Sequence, residues 1–194
     1  MRWSQKGHEI IFGSRNPQGE KTLALVKKFG AGSRAATIDK AATEADLVVL
    51  ATPWIQAQSV LKAAGDLTGK IVIDCVNPLN ADFSGLDLGH TTSASERIAT
   101  WIPAARVVKA FNTVSAAAML NPIFDGQKAT LFICGDDPQA KSVVLDLAEQ
   151  LDFEAVDAGP LQIARYLEPL AMLYIQLAIQ EGWGSNYAFK IMRR

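Results

Sequence analysis

Short β-branched runs alternate along this chain with segments of helical spacing, and that alternation is the tightest constraint on its fold. A strand that leads through a helix into another strand must cross over, so repetition of this order builds a parallel sheet with helices on its faces. Residues 8–13, 47–51, 71–74, 106–110, 129–134 and 154–157 read as strands, with 36–38 as a shorter one. The 47–51 run is apolar throughout, as expected of a parallel strand covered on both faces. Helices are predicted over 18–29, from Thr52 and Pro53 onward, over 94–101, after Asp137 and Pro138, and over 161–180. Leu23, Val26 and Phe29 lie on one face of the first, and Trp54, Ala57, Leu61 and Ala64 follow at helical spacing in the second. Thr52 is expected as an N-cap with Pro53 at the first helical position, a device repeated at Asp137 and Pro138. Ser93 with Glu96 fits a capping box. The expected fold is α/β, a doubly wound, mostly parallel sheet with a long C-terminal helix, in one domain over 1–194 whose helical part is 159–194.

Composition removes several classes of function. Across 194 residues the formal charge is −1, which gives no electrostatic reason to expect nucleic acid or an anionic membrane as partner. Hydrophobic residues at 49% and charged ones at 20% exclude disorder. The 2 cysteines are too few for a disulfide scaffold, and no Cys/His cluster has zinc spacing. No apolar run near the first residue suits a signal peptide, and the greasiest stretch, 169–180, is about half of a bilayer span. The reading is a cytoplasmic chain with small-molecule partners.

In doubly wound sheets, ligands bind beyond the carboxyl ends of the strands. The first such loop carries Ser14 and Arg15 with no carboxylate beside them. An arginine there pairs with the 2′-phosphate of NADP, where an Asp or Glu would favour NAD; equally, Arg15 suits a solvent-facing turn that Asn16 and Pro17 make on their own. The second loop offers Thr52 and Pro53 at a helix start, with Trp54 either a flat wall for a ring system or the first core residue of its helix. After the third strand, Asn77 is an amide contact or a turn former. Cys75 and Cys134 read as small buried thiols. His8 and His90 have no ligand or triad partners at useful spacing. No acid, base, nucleophile or metal ligand set stands out, so no catalytic side chain and no metal is assigned. Hydride transfer between two bound cofactors is compatible with that absence, because it depends on orientation more than on proton shuttling.

These residues, taken in order, resemble the coenzyme F420-dependent NADP oxidoreductases, a domain type also found in transmembrane ferric reductases. The resemblance rests on Gly7 to Arg15, Thr52-Pro53-Trp54, Ser95-Glu96-Arg97, Val107 to Thr113, Cys134 to Asp137, Asp157 to Leu161, Ala164-Arg165, Leu167-Glu168 and Ala188-Phe189-Lys190. It implies a Rossmann-like fold and an NADPH-dependent oxidoreductase, with coenzyme F420 or a flavin as hydride acceptor. It places Ser14 and Arg15 at the 2′-phosphate and Thr52, Pro53 and Trp54 near the ribose and nicotinamide, with Asn112, Thr113 and Ala158 lining the pocket. Archaeal members carry a lysine shortly after the arginine; Gly19 falls near that place here, with Lys21 beyond it.

The resemblance also implies that a first strand, a Gly-rich turn and most of a helix, about 17 residues, precede the family's counterpart of this start. The expectation is therefore a sheet lacking its first strand, with a weakened pyrophosphate site and unpaired edges at the strands of Ile10 and Val49. Such a sheet must close directly, borrow a strand from a partner, or belong to a chain whose biological start lies upstream. The other reading is a non-catalytic homodimer or binding module, built on the apolar helix of Leu170, Leu173, Leu177 and Ala178.

Overall fold

The computed structural model describes residues 2–194 and alternates much as the sequence predicts. α1 (Arg2–Gln5) leads to β1 (Ile10–Gly13), α2 (Glu20–Phe29), β2 (Ser33–Ala36), α3 (Ile38–Glu44), β3 (Leu47–Leu50), α4 (Trp54–Ala64) and β4 (Ile71–Asp74). Then follow α5 (Ala94–Trp101), β5 (Arg106–Lys109), α6 (Ala116–Leu120) and a hairpin of β6 (Ile123–Phe124) and β7 (Gln127–Lys128). β8 (Thr130–Gly135), α7 (Pro138–Glu149), β9 (Glu154–Gly159) and α8 (Ala164–Ile179) complete the order, with a 3-10 turn at Leu161–Ile163 before α8.

The main sheet runs β3-β4-β5-β8-β9. β3, β4 and β5 are parallel, and β8 is antiparallel to β5 but parallel to β9. Alternate residues of β4 serve opposite faces, as the pleat requires. Ile71 and Ile73 join Val108, Leu131, Ile133, Val144 and Phe153 on one side, while Val72 joins Leu50, Leu61, Ile98 and Val107 on the other. Burial on both faces explains why these strands are apolar runs rather than alternating ones.

β1 pairs only with β2, in parallel, and this two-stranded piece is not bonded to β3. The first strand and Gly-rich turn of a Rossmann sheet are thus absent among the described residues, and β1 and β3 each keep an open edge. α3 holds the two pieces together. A Cβ on Gly13 would lie 3.3 Å from the Ala41 Cβ, while Ala42 packs in the cluster of Leu50.

Several expectations are corrected. The segment at 36–38 is not a strand: β2 ends at Ala36, Thr37 is the extended N-cap, and Ile38 opens α3, a short alanine-bearing helix with little periodic signal. Thr52 does not cap α4; Pro53 is its N-cap, at ψ 144°, and the helix starts at Trp54. No residue of α2 is buried, and Leu23 and Leu25 are 46% and 44% exposed, because two strands offer too little sheet to cover the helix's apolar face. Other signals hold. Ser93 Oγ accepts from the Glu96 N–H at 3.1 Å and lies 2.8 Å from the Glu96 carboxylate, and Asp137 accepts from the Ala140 N–H at 2.7 Å. Among the described residues no helix is long and apolar enough to cross a membrane.

α5 is tied to α8 through Arg165, whose guanidinium forks onto Glu96 with contacts of 2.6 and 2.9 Å. Arg165 is the main reason the Glu96 carboxyl is held below its ordinary value of 4.5. A depressed carboxylate contributes stability above its unfolded value and loses it as pH falls through the folded one. The variant Glu96→Gln is expected to be less stable than the parent at pH 7, with the difference shrinking below about pH 4.5, as read by urea unfolding at several pH values.

Candidate functional site

The registers of the main sheet bring three loops to one line. Leu50, Asp74 and Lys109 are consecutive partners across β3, β4 and β5, so Thr52, Asn77 and Asn112 follow from neighbouring strand ends. In this fold class, that is the crevice where ligands sit.

A buried ion cluster holds these strand ends. Lys109 is fully buried, with its ammonium 3.0 Å from Asp74 Oδ2 and 2.9 Å from Glu168 Oε1, and it also donates to the Val76 carbonyl. Ser95 Oγ donates to Asp74 Oδ2 at 2.6 Å, and the Val76 N–H donates to Asp74 Oδ1 at 2.8 Å. Glu168, on α8, accepts from the Ala94 and Ser95 N–H groups at 2.9 and 3.2 Å. It therefore caps α5 from another element, where the helix dipole favours a carboxylate. Burial opposes the charge of Lys109, but the two facing carboxylates outweigh it and hold the lysine above its ordinary value; burial likewise pushes Glu168 up.

On this base the loops interlock. Asn77 Nδ2 donates to the Asn112 carbonyl at 3.0 Å, while Asn112 Nδ2 donates to Asn77 Oδ1 and to the Leu167 carbonyl, each at 3.0 Å. Phe111 adopts φ 61°, a conformation costly for a bulky residue and concentrated at functional sites. Its ring lies in the core, edge-on to Trp3 at 5.5 Å, and the reversal sets Asn112 and Thr113 into the crevice loop. Both are buried, at 7% and 1% exposure. Asn112 Oδ1 and Thr113 Oγ1 nevertheless have no hydrogen-bond partner, and neither does Thr52 Oγ1. Buried polar atoms are almost always satisfied, so three atoms without a protein partner at neighbouring strand ends set this place apart among the described residues.

The remaining candidates divide. Trp54 is half-buried, stacked on Trp101 with centroids 5.4 Å apart and planes at 18°, and it packs against the Leu61 cluster. Pro53 is exposed. Ala158 is half-buried against the cluster of Cys134, Ala164 and Leu167. Burial raises the thiols of Cys75 and Cys134 to about 12, which leaves both protonated and unreactive. Among the described residues no group of His, Cys, Asp or Glu could hold a metal ion.

Ser14 and Arg15 stand apart, at the end of β1. Ser14 Oγ accepts from the Asn16 N–H at 3.1 Å and sits 3.0 Å from Thr22 Oγ1, while the Thr22 hydroxyl donates to the Asn16 carbonyl at 3.1 Å. This knot fixes the loop and leaves Arg15 exposed, with no ion pair among the described residues. α2 begins beside it with Gly19 as N-cap and no side-chain cap, so its first N–H groups remain available. Gly19 has a steric reason: a Cβ there would lie 2.9 Å from Asn16 Nδ2. A lysine at 19 would have to displace Asn16. Sequence reasoning missed Thr22 and the Lys109 cluster. The signal for the latter was present as Asp74, Lys109 and Glu168, each a charge within an apolar run.

Residues 1–78 match the family model described as NADP oxidoreductase, coenzyme F420-dependent. The F420-dependent NADP reductase of Methanothermobacter marburgensis is 32% identical over 193 residues, covering 93% of this chain and 86% of that protein. The metalloreductase STEAP3 of Rattus norvegicus is 34% identical over 169 residues, 86% of this chain, but the chain spans only 33% of its length. A crystal structure from Arthrobacter sp. FB24, provisionally assigned as an F420-dependent NADP reductase, superposes with a TM-score of 0.89 at 31% identity, covering 99% of this chain and 92% of that one.

Lys109→Met leaves Asp74 and Glu168 facing each other without a cation. Breaking a buried pair in this way costs about 3–5 kcal/mol, and equilibrium urea unfolding is expected to show a loss of that size.

Proposed function

Because the chain belongs to the F420-dependent NADP oxidoreductase family, we propose that it binds NADP(H) and exchanges a hydride between that nucleotide and coenzyme F420 or a flavin. The observation that carries the coenzyme preference is Arg15, an exposed guanidinium without an ion pair among the described residues, beside an uncapped helix start and the fixed hydroxyl of Ser14. A 2′-phosphate suits that combination, since a planar guanidinium and helix N–H groups both favour a phosphate oxygen. At the ends of β3 and β5, Asn112 Oδ1 lacks a donor and the Thr52 and Thr113 hydroxyls lack a partner among the described residues. A carboxamide such as that of nicotinamide offers an N–H to the first and a carbonyl to a hydroxyl.

When bound, the reduced nicotinamide supplies the hydride and its electron pair. The residues of this chain contribute position. Asn77 and Asn112 lock the two loops through reciprocal amides, and Lys109 holds the Val76 carbonyl from below. The reduced acceptor takes up one proton together with the hydride, and solvent supplies it.

A second reading is a homodimeric binding module in the cytoplasm. It is favoured by apolar side chains left exposed on and after α8, namely Tyr166, Leu173, Ile179 and Trp183. Solution mass tests it: a dimer that Leu173→Lys dissociates without loss of nucleotide binding would show association and binding to be separate properties. For the leading reading, fluorescence titration is expected to show tighter binding of NADPH than of NADH. Arg15→Ala is expected to weaken NADPH alone by about ten- to a hundredfold, as suits one charge-assisted contact of about 1.5–3 kcal/mol. Equal affinity for the two nucleotides, or no affinity for either, overturns it.

A further inference from the structure

We propose that Phe83 determines specificity for the hydride acceptor, as the aromatic wall against which a planar tricyclic ring stacks. The inference rests on the proposed hydride exchange and names the side chain that selects its second substrate. It starts from a backbone outlier. Among the described residues, the non-glycine residues at positive φ are Phe83, His90, Phe111, Asp125 and Asp152. Asp and His take this conformation readily, whereas a bulky aromatic does so at a cost. Phe111 offsets that cost by burial, at 4% exposure; Phe83, at φ 58°, stays 52% exposed. A strained aromatic that gains so little burial belongs to the outliers that gather where ligands are held.

The ribbon that carries Phe83 is built to keep it there. Between β4 and α5 the chain doubles back: the Asp87 N–H donates to the Pro78 carbonyl at 2.7 Å, and Leu79 bridges Leu86. Side chains close the tip. Asn80 Oδ1 accepts from the Gly85 N–H at 3.1 Å, and Asn80 Nδ2 donates to Ser84 Oγ at 3.0 Å. The Ser84 hydroxyl donates in turn to Asp82 Oδ1 at 2.7 Å. Both feet of the ribbon stand at the crevice. One follows Asn77, which is locked to Asn112; the other leads to Ser93 and Ala94, where Glu168 holds the start of α5.

The chemistry of the step supplies the occupant. A hydride passes only when the acceptor ring lies about 3–3.5 Å from the nicotinamide, which leaves the outer face of that ring to be covered. An aromatic side chain covers a flat ring by offset stacking and offers no such contact to a hydrophilic metal chelate. The deazaflavin of coenzyme F420 and the isoalloxazine of a free flavin share this flat tricyclic shape.

The test titrates coenzyme F420 and FMN, each by its own fluorescence, against the 194-residue chain with and without NADP+, and NADPH in parallel. Phe83→Ala is expected to weaken acceptor binding by about tenfold or more and to leave NADPH affinity unchanged, with Phe83→Tyr restoring the acceptor. A loss confined to F420 assigns the ring to a deazaflavin, and one confined to FMN assigns it to a flavin. Phe83→Gly separates binding from folding, because glycine takes a positive φ freely. It is expected to unfold at no lower urea concentration than the parent while binding the acceptor as poorly as Phe83→Ala. Four results overturn the proposal: no saturable binding of either acceptor to the parent, acceptor affinity indifferent to Phe83→Ala, an equal loss of NADPH affinity, or a Phe83→Gly variant less stable than the parent. Acceptor binding that depends on residue 83 in a chain with no affinity for NADPH supports the proposal and overturns the coenzyme reading alone.

Discussion

One buried cation organises the crevice. Without the Lys109 ammonium, Asp74 and Glu168 would be two carboxylates in a dry interior, and neither strand end nor helix could stay where it is. With it, the ends of β4 and β5, the start of α5 and the middle of α8 meet at a single charge. The arrangement does not gain its value from Coulomb attraction alone, since desolvating the ions opposes that term. Its value lies in geometry: four elements acquire one mutual position, and the loops above them inherit it.

That position is occupied by groups left incomplete. The amides of Asn77 and Asn112 use their protons on each other and on the Leu167 carbonyl, leaving an acceptor over; two threonine hydroxyls are left as well. Such orphans are rare in a protein interior, where most buried polar groups have a hydrogen-bond partner. The contrast with the thiols of Cys75 and Cys134 is instructive, because these are equally close to the strand ends yet neutral. Polarity without reactivity suits a site that positions a cofactor rather than attacking a substrate.

Periodicity and cap chemistry made most of the main sheet legible, because those signals are local. Ser93 with Glu96 and Asp137 with Pro138 mark helix starts from residues within a single turn, and 47–51 reads as a covered strand from its own composition. What escaped was set by distant partners. α3 has too few apolar residues to announce itself, Thr52 is denied its capping role by the backbone of Pro53, and α2 leaves Leu23 exposed because the sheet beneath it is narrow. At the site, Asn112 entered only through the family resemblance, while Arg15 and Asn77 were visible as residue types following strands. The Lys109 cluster was not, since its members lie 35 and 59 residues apart from their common charge. Gly19 is the clearest case: only the nearness of Asn16 explains why a small residue belongs there.

Trp3 reaches in two directions. Its indole N–H donates to the Leu147 carbonyl at 2.9 Å, and its ring meets the edge of Phe111 at 5.5 Å. Phe111 in turn is wedged in a left-handed turn directly before Asn112. One aromatic side chain of α1 thus braces both the end of α7 and the strained residue that precedes Asn112.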